Sequence, residues 1–382
     1  MRSDRENRYM EILDFDETKR KEWIEGRKPF SVLFELTSKC NFNCIHCYLQ
    51  NNHIEDLLSY EKIIEIIDIL YEKGILFLTF TGGEILTRKD FIDIYMYAKR
   101  KGFLVELFSN GYLFTDEILN VLKEFPPLLV DISLYGSSDE TYEKVTGVKG
   151  AFTRVVENCK KLINHGIRIS LKSPIITPIL NELEKMKDIA DEMGIPFVYS
   201  FEICATIDRD ETPKELQVPL KCILKYEFEN YYDQINNGER KAGEVNRTKI
   251  EELSKITKVY SCNVAKNSFV IDYQGRMCPC MKLRNQGIKL QKSNYQDIWN
   301  DFNRFAYIEA SSKYKCKGCE DRYYCDVCPA EMEFLYGDAE YRPNIICKSA
   351  EIRRKFYEQK MTFEEALVEA SFNEYIGKEG VK

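Results

Sequence analysis

The sequence predicts an α/β protein in which six short strands alternate with helices across residues 31–203, before a cysteine-rich segment takes over. Three observations predict it. β-rich runs alternate with amphipathic helical stretches, as a parallel sheet covered by helices requires. Gly74, Gly102, Gly166 and Gly194 each fall after a helical pattern and before a strand, where a helix end needs positive φ. Eight cysteines lie between Cys262 and Cys347, where regular periodicity is lost, as happens when metal ligation replaces apolar burial. In order, the expected strands are SVLFELT at 31–37, ILFLTFT at 75–81, FLVELFS at 103–109, LLVDISL at 128–134, IRISLKS at 167–173 and PFVYSFE at 196–202. Helical patterns lie between them, as over 60–73, where Ile63, Ile64, Ile67 and Leu70 share one face, and over 152–164. Such an array can close part-way, as an incomplete (β/α)6 barrel, or lie open as a doubly wound sheet, and periodicity does not separate the two.

The organisation follows from these shifts in pattern. Residues 1–30 form an N-terminal extension, 31–212 the α/β unit, 213–260 a bridge of polar helices over 213–236 and 246–258, 261–349 the cysteine-rich domain, and 350–382 a charged C-terminal helix. Composition bounds the function. Of 382 residues, 44% are hydrophobic and 31% charged, which suits a folded globular chain and not a disordered or collagen-like one. A net charge of −7 speaks against coating nucleic acid or anionic membrane. The first thirty residues lack the apolar core of a signal peptide, and no run is long and apolar enough to span a bilayer. The expectation is a cytoplasmic protein, where 14 cysteines point to metal ligation rather than disulfides.

TSKCNFNCIHCYL places Cys40, Cys44 and Cys47 as C-x3-C-x2-C directly after the first strand, at the sheet edge where α/β active sites gather. Three thiolates can hold three corners of a [4Fe-4S] cluster, leaving one iron open to substrate. The plainer alternative is a Cys3His zinc site completed by His46 or His53. The spacing resembles the signature of radical S-adenosylmethionine (SAM) enzymes. Thr81-Gly82-Gly83-Glu84, after the second strand, is similar to that family's GGE motif, which holds the methionine amino group of SAM. The residue types suit such a role, because glycines permit close backbone approach and a carboxylate pairs with an ammonium. The resemblance implies the partial (β/α)6 barrel, and a mechanism in which SAM chelates the open iron, one electron splits its sulfur–C5′ bond, and a 5′-deoxyadenosyl radical takes hydrogen from substrate. It also implies SAM contacts from His46, from Ser133 at the end of strand four, and from Asn110 in Ser109-Asn110-Gly111. Where relatives often carry an arginine after the serine, this chain has Lys144.

The second cysteine field runs Cys262-x12-Gly275-x4-Cys280, then Cys316-x2-Cys319-x5-Cys325-x2-Cys328, then Cys347. This resembles a SPASM domain, the auxiliary-cluster module of many radical SAM enzymes that modify peptides and proteins. The resemblance assigns Cys316, Cys319, Cys325 and Cys347 to one [4Fe-4S] cluster and Cys262, Cys280 and Cys328 to another. Cys278 is expected either to complete that second set or to leave it an open iron. A pair of zinc sites is the alternative. Of the three remaining cysteines, Cys159 reads as packing and Cys204, at the end of strand six, as a candidate catalytic residue beside the site.

The full expectation is SAM with three [4Fe-4S] clusters and an enzyme that modifies a ribosomally made peptide, forming a thioether or carbon–carbon crosslink or a related change. A sulfatase-maturing oxidase is the alternative, and Met281 stands where that type usually has aspartate after the cysteine. The segment 206–220 resembles that of peptide-modifying members. A small-molecule dehydrogenase and a non-catalytic zinc module complete the alternatives. Implied partners are a peptide or protein substrate and a flavodoxin- or ferredoxin-type reductant; some thirty residues before the first strand are too few for a recognition domain, so any leader-peptide recognition is expected from a separate protein or from the SPASM surface.

Overall fold

A computed structural model describes residues 17–49, 57–255 and 257–379. All six expected strands form: β1 Ser31–Thr37, β2 Phe77–Gly82, β3 Leu104–Ser109, β4 Leu129–Ser133, β5 Ile169–Pro174 and β6 Phe197–Ser200. Neighbours pair in parallel, in chain order from β1 to β6. The alternation of buried and half-buried residues along β3, with Val105 and Leu107 buried, gives each strand one face for the helices and one face away from them. The helix Tyr60–Glu72 buries Ile63, Ile66, Ile67 and Leu70 against that apolar face. Each such side chain stabilises the fold by about 1.5–3 kcal/mol on burial.

The four glycines explain where the strands begin. Gly74, Gly102, Gly166 and Gly194 all adopt positive φ, between 64° and 92°. The next residue's N–H returns to the helix it has just left: Ile75 to Leu70 O, Phe103 to Ala98 O, Ile167 to Leu162 O and Ile195 to Ala190 O, at 3.1–3.3 Å. This is the Schellman closure, four times over. It holds Ile75 and Ile167 on the helix end, so β2 and β5 start two residues later than the pattern of apolar residues suggests.

The cysteine-rich segment departs from expectation, because it contributes strands. β7 Ser268–Ile271 pairs in parallel with β1, and β8 Arg276–Cys278 and β9 Ile288–Lys289 follow antiparallel, so the sheet runs β6-β5-β4-β3-β2-β1-β7-β8-β9. Elements of four, three and two residues are too short to show a period.

Two helix expectations change. The helix expected over 213–236 is a short turn, Thr212–Leu216, followed by Leu220–Asn236, because Pro219 cannot continue a helix. The single C-terminal helix expected over 350–382 is two, Asn344–Tyr357 and Phe363–Glu379. Gln359 at φ 58° ends the first. A capping box starts the second: Glu365 N–H donates to Thr362 Oγ1 at 3.3 Å and Thr362 N–H to Glu365 Oε2 at 2.8 Å. These helices and Leu220–Asn236 share a small separate core, with the rings of Phe228 and Phe356 stacked at 3.7 Å. Among the described residues no helix is long and apolar enough to cross a membrane.

Candidate active site

The site is assembled at the C-terminal edge of β1, β2, β3 and β4. Opposite Thr81 and Gly82, the β1 register shifts between Glu35 and Thr37, and the chain leaves the sheet into the cysteine loop. Cys44 is buried and Cys40 and Cys47 are half-buried. The loop is anchored on the helix Asp139–Thr146, through Asn43 N–H to Thr146 O at 2.8 Å and Ile45 N–H to Val145 O at 3.0 Å. Phe42 inserts its ring between Tyr112 and Tyr142.

Gly82 and Gly83 have a reason different from the expected one. A Cβ on Gly82, which sits at φ 138°, would stand 2.1 Å from Thr37 O, and one on Gly83 would stand 2.2 Å from Lys39 O. The glycines let the β2 turn press on the backbone of the cysteine loop, where Gly83 N–H bonds Thr37 O at 2.9 Å and Glu84 N–H bonds Lys39 O at 2.7 Å. Glu84 is fully buried. Its carboxylate accepts Leu86 N–H at 3.0 Å, Asn110 N–H at 2.6 Å and the Ser109 hydroxyl at 3.0 and 3.1 Å on its two oxygens. Burial raises its pKa to about 7, against the pull of those donors. With both oxygens occupied, Glu84 braces β2 against β3.

Asn110 does more than turn the chain. Its amide donates to Cys40 Sγ at 3.7 Å and to Asn41 Oδ1 at 2.8 Å. Phe42 N–H donates to the same sulfur at 3.4 Å. His46 is half-buried, edge-on against Tyr135 with ring centroids 4.9 Å apart, and desolvation of its ring lowers its pKa to about 4. Ser133 accepts the Tyr142 hydroxyl on its carbonyl at 2.9 Å and lies opposite Lys172 on β5. Lys144 is exposed and paired with Glu140, away from these residues.

The residues fit a bound cluster and SAM on two counts. Asn41 Nδ2 and His46 Nδ1, both inside the cysteine run and on either side of Cys44, are buried atoms without a protein partner, and buried polar atoms want one. Burial raises the pKa of all three thiols, Cys40 to about 12, so a bound metal centre would offset the desolvation that opposes their ionisation. No three His, Cys, Asp or Glu side chains among the described residues converge as one zinc ion requires, and His53 lies outside them.

Beneath the loop, on the sheet face away from the helices, lies a charged layer absent from the sequence expectations. Thr79 donates to Glu106 Oε2 at 3.0 Å, while Ser170 and Lys172 both bond Asp131. The Lys172 ammonium also sits 4.0 Å from the Phe108 ring centroid. The signal was present, as a charged residue at alternate positions of otherwise apolar strands: LVELFS, LVDIS, ISLKSP.

The second cysteine field splits into two places. Cys316, Cys319, Cys325 and Cys347 line one cavity of about 230 Å³. Arg342 Nε donates to Cys316 Sγ at 2.9 Å and Arg322 to Cys316 O at 3.0 Å. Cys262, Cys280 and Cys328 gather around Tyr260, whose hydroxyl feels all three. Cys278 stands apart: fully buried, its sulfur lies 3.7 Å from Arg276 O and 4.0 Å from Asp272 Oδ2. The charges acting on it are Asp272, Arg284, Arg276 and Glu35, with no cysteine among them. Cys159 packs in the main core, as expected.

The family model "Radical SAM superfamily" matches residues 34–193. The chain is 25% identical over 329 residues to the AdoMet-dependent heme synthase of Methanosarcina barkeri, across 81% of this chain and 94% of that protein. It is 30% identical over 168 residues to the antilisterial bacteriocin subtilosin biosynthesis protein AlbA of Bacillus subtilis, across 44% of this chain and 38% of AlbA, so it spans well under half of that relative. Among solved structures, Streptococcus suis SuiB bound to precursor peptide SuiA superposes with a TM-score of 0.63 at 15% identity, over 85% of this chain and 78% of SuiB, a likeness of fold.

Proposed function

Since this chain is a radical SAM enzyme, with its radical SAM domain at residues 34–193, we propose that it modifies a ribosomally made peptide, forming a thioether or carbon–carbon crosslink or a related change. The observation that carries the reading is the pairing of one three-cysteine loop at the sheet edge with two further cysteine groups, one of them lining a cavity. AlbA, a bacteriocin biosynthesis protein, and SuiB, seen with a precursor peptide, support a peptide substrate.

When bound, SAM and its cluster supply a carbon-centred radical able to take hydrogen from an unactivated carbon. The protein's own residues do the rest. Cys40, Cys44 and Cys47 would hold the cluster, and the Asn110 amide and Phe42 N–H donate to the Cys40 sulfur. His46 and Ser133 would contact the adenosyl part of SAM, and Gly82, Gly83 and Glu84 lock the turn that would receive its methionyl end. The Glu106–Asp131–Lys172 layer presents fixed charges to the substrate, orienting it and excluding bulk water. Each auxiliary cysteine group holds one [4Fe-4S] cluster, three clusters in all, and a flavodoxin- or ferredoxin-type protein in the cytoplasm supplies electrons.

A second reading, haem synthesis, is favoured by the match that spans 94% of the AdoMet-dependent heme synthase. One experiment separates them. Anaerobically reconstituted protein, SAM and dithionite are incubated either with synthetic peptides translated from any short reading frames found to flank this gene or with an iron porphyrin bearing carboxylated side chains. A peptide mass change coupled to 5′-deoxyadenosine supports the first reading; haem formation without peptide change replaces it with the second.

A further inference from the structure

Closing a four-iron cluster takes four protein ligands, and the cavity group supplies them in Cys316, Cys319, Cys325 and Cys347. The inner group, Cys262, Cys280 and Cys328, has three. The nearest cysteine in sequence is not free to be the fourth: Cys278 is packed so tightly that a Cβ on Gly287 would stand 2.6 Å from its sulfur. A different segment reaches the inner group. Lys282, two residues after Cys280, donates to Glu331 Oε2 at 2.9 Å, three residues after Cys328, and also bonds Glu202, two residues before Cys204. A single ammonium therefore pins together the loop after β8, the start of the helix Pro329–Tyr336 and the end of β6. Arg209, further along the same post-β6 segment, lies 5.4 Å from the Phe334 ring centroid on that helix and repeats the contact. Cys204 is half-buried between them, within electrostatic reach of Cys328 and Lys282. The charge also favours ligation there, since a cation beside several thiolates offsets their mutual repulsion.

We infer that Cys204 is the fourth protein ligand of the inner auxiliary site, joining Cys262, Cys280 and Cys328 and tying the last strand of the parallel sheet to the cysteine-rich segment. The inference rests on the radical SAM reading with auxiliary clusters. It replaces the expectation of a catalytic Cys204, and it leaves the inner cluster with no open iron for substrate to occupy.

The test uses full-length protein carrying Cys40→Ala, Cys44→Ala and Cys47→Ala, which removes the open-iron SAM site, reconstituted anaerobically. Iron content and low-temperature EPR with and without cyanide are measured in this background, and again with Cys204→Ala or Cys278→Ala added. The expected result is that Cys204→Ala loses up to about half of the remaining iron, or yields a signal that shifts with cyanide, whereas the background and Cys278→Ala show neither. A cyanide-responsive background, or an effect of Cys278→Ala with none of Cys204→Ala, overturns the assignment. A background that binds no iron overturns the auxiliary-cluster reading itself, a separate failure. A second measurement avoids variants: in the wild-type protein, iodoacetamide labelling of Cys204, read by mass spectrometry, should be suppressed by reconstitution. Equal labelling of apo and reconstituted protein also overturns the assignment.

Discussion

Glu84 shows how much a single buried carboxylate can organise. Its oxygens receive donors from Leu86, Ser109 and Asn110, and Asn110 in turn bonds Cys40, so the β2 turn reaches the cysteine loop through one chain of hydrogen bonds. In Glu84→Gln an amide nitrogen must confront one of those N–H donors. Leaving a buried donor unsatisfied costs about 1–3 kcal/mol, and SAM binding, followed by calorimetry, is expected to weaken about ten- to a hundredfold with iron content unchanged. The effect on stability depends on pH. Because the folded pKa, about 7, lies above that of the unfolded chain, Glu84 stabilises the fold fully at low pH and loses that contribution as pH rises through 7. Wild type should therefore exceed Glu84→Gln in urea stability by more at pH 5 than at pH 8, the gap shrinking by at most about 3 kcal/mol. A pH-independent gap would show that the carboxylate stays ionised throughout.

At the scale of elements, the cysteine loop, β1 and the cysteine-rich segment are joined by one buried ion pair. Glu35, fully buried on β1, receives Arg284 on both oxygens, the Tyr48 hydroxyl at 2.8 Å and Tyr273 N–H at 3.3 Å. Tyr48 follows Cys47 directly, so the pair sets the exit of the loop as well as the docking of the later segment. Arg284→Met strands a buried carboxylate and is expected to cost about 3–5 kcal/mol in denaturant unfolding, whereas adding Glu35→Gln should restore part of the loss. If the double variant is as unstable as the sum of the two single ones, the coupling is absent. Neither residue was legible beforehand, because they are 249 positions apart and each looks ordinary among its neighbours.

For the whole molecule, one sheet runs from β6 to β9, so the parallel array and the first part of the cysteine-rich segment share it. If each cysteine group holds its own cluster, replacing Cys40, Cys44 and Cys47 together by Ala should remove about one third of the iron and abolish 5′-deoxyadenosine formation. Continued SAM cleavage by that variant would place the SAM site elsewhere. The outer group is open to a sharper test. Cys319→Ala or Cys325→Ala should spare SAM cleavage while blocking the modified product, and a deuterium at the attacked carbon should still appear in 5′-deoxyadenosine. Full product formation without these ligands would leave that group a structural scaffold.

Local features were legible in the order of the amino acids. C-x3-C-x2-C, the strands from β1 to β6 and their four Schellman glycines all rest on neighbours within a few residues, where side-chain period and backbone φ speak directly. Tertiary structure alone decided which distant groups meet. Gly82 and Gly83 permit a close backbone crossing against Thr37 and Lys39, and the residues Glu106, Asp131 and Lys172 of three separate strands become one layer. Cys278, two residues from Cys280, turns away from it, while Lys282 draws in a segment 80 residues distant. Spacing along a chain fixes only how far apart two side chains can be; which of the permitted contacts forms is set by sheet order and by the need of each buried charge for a partner.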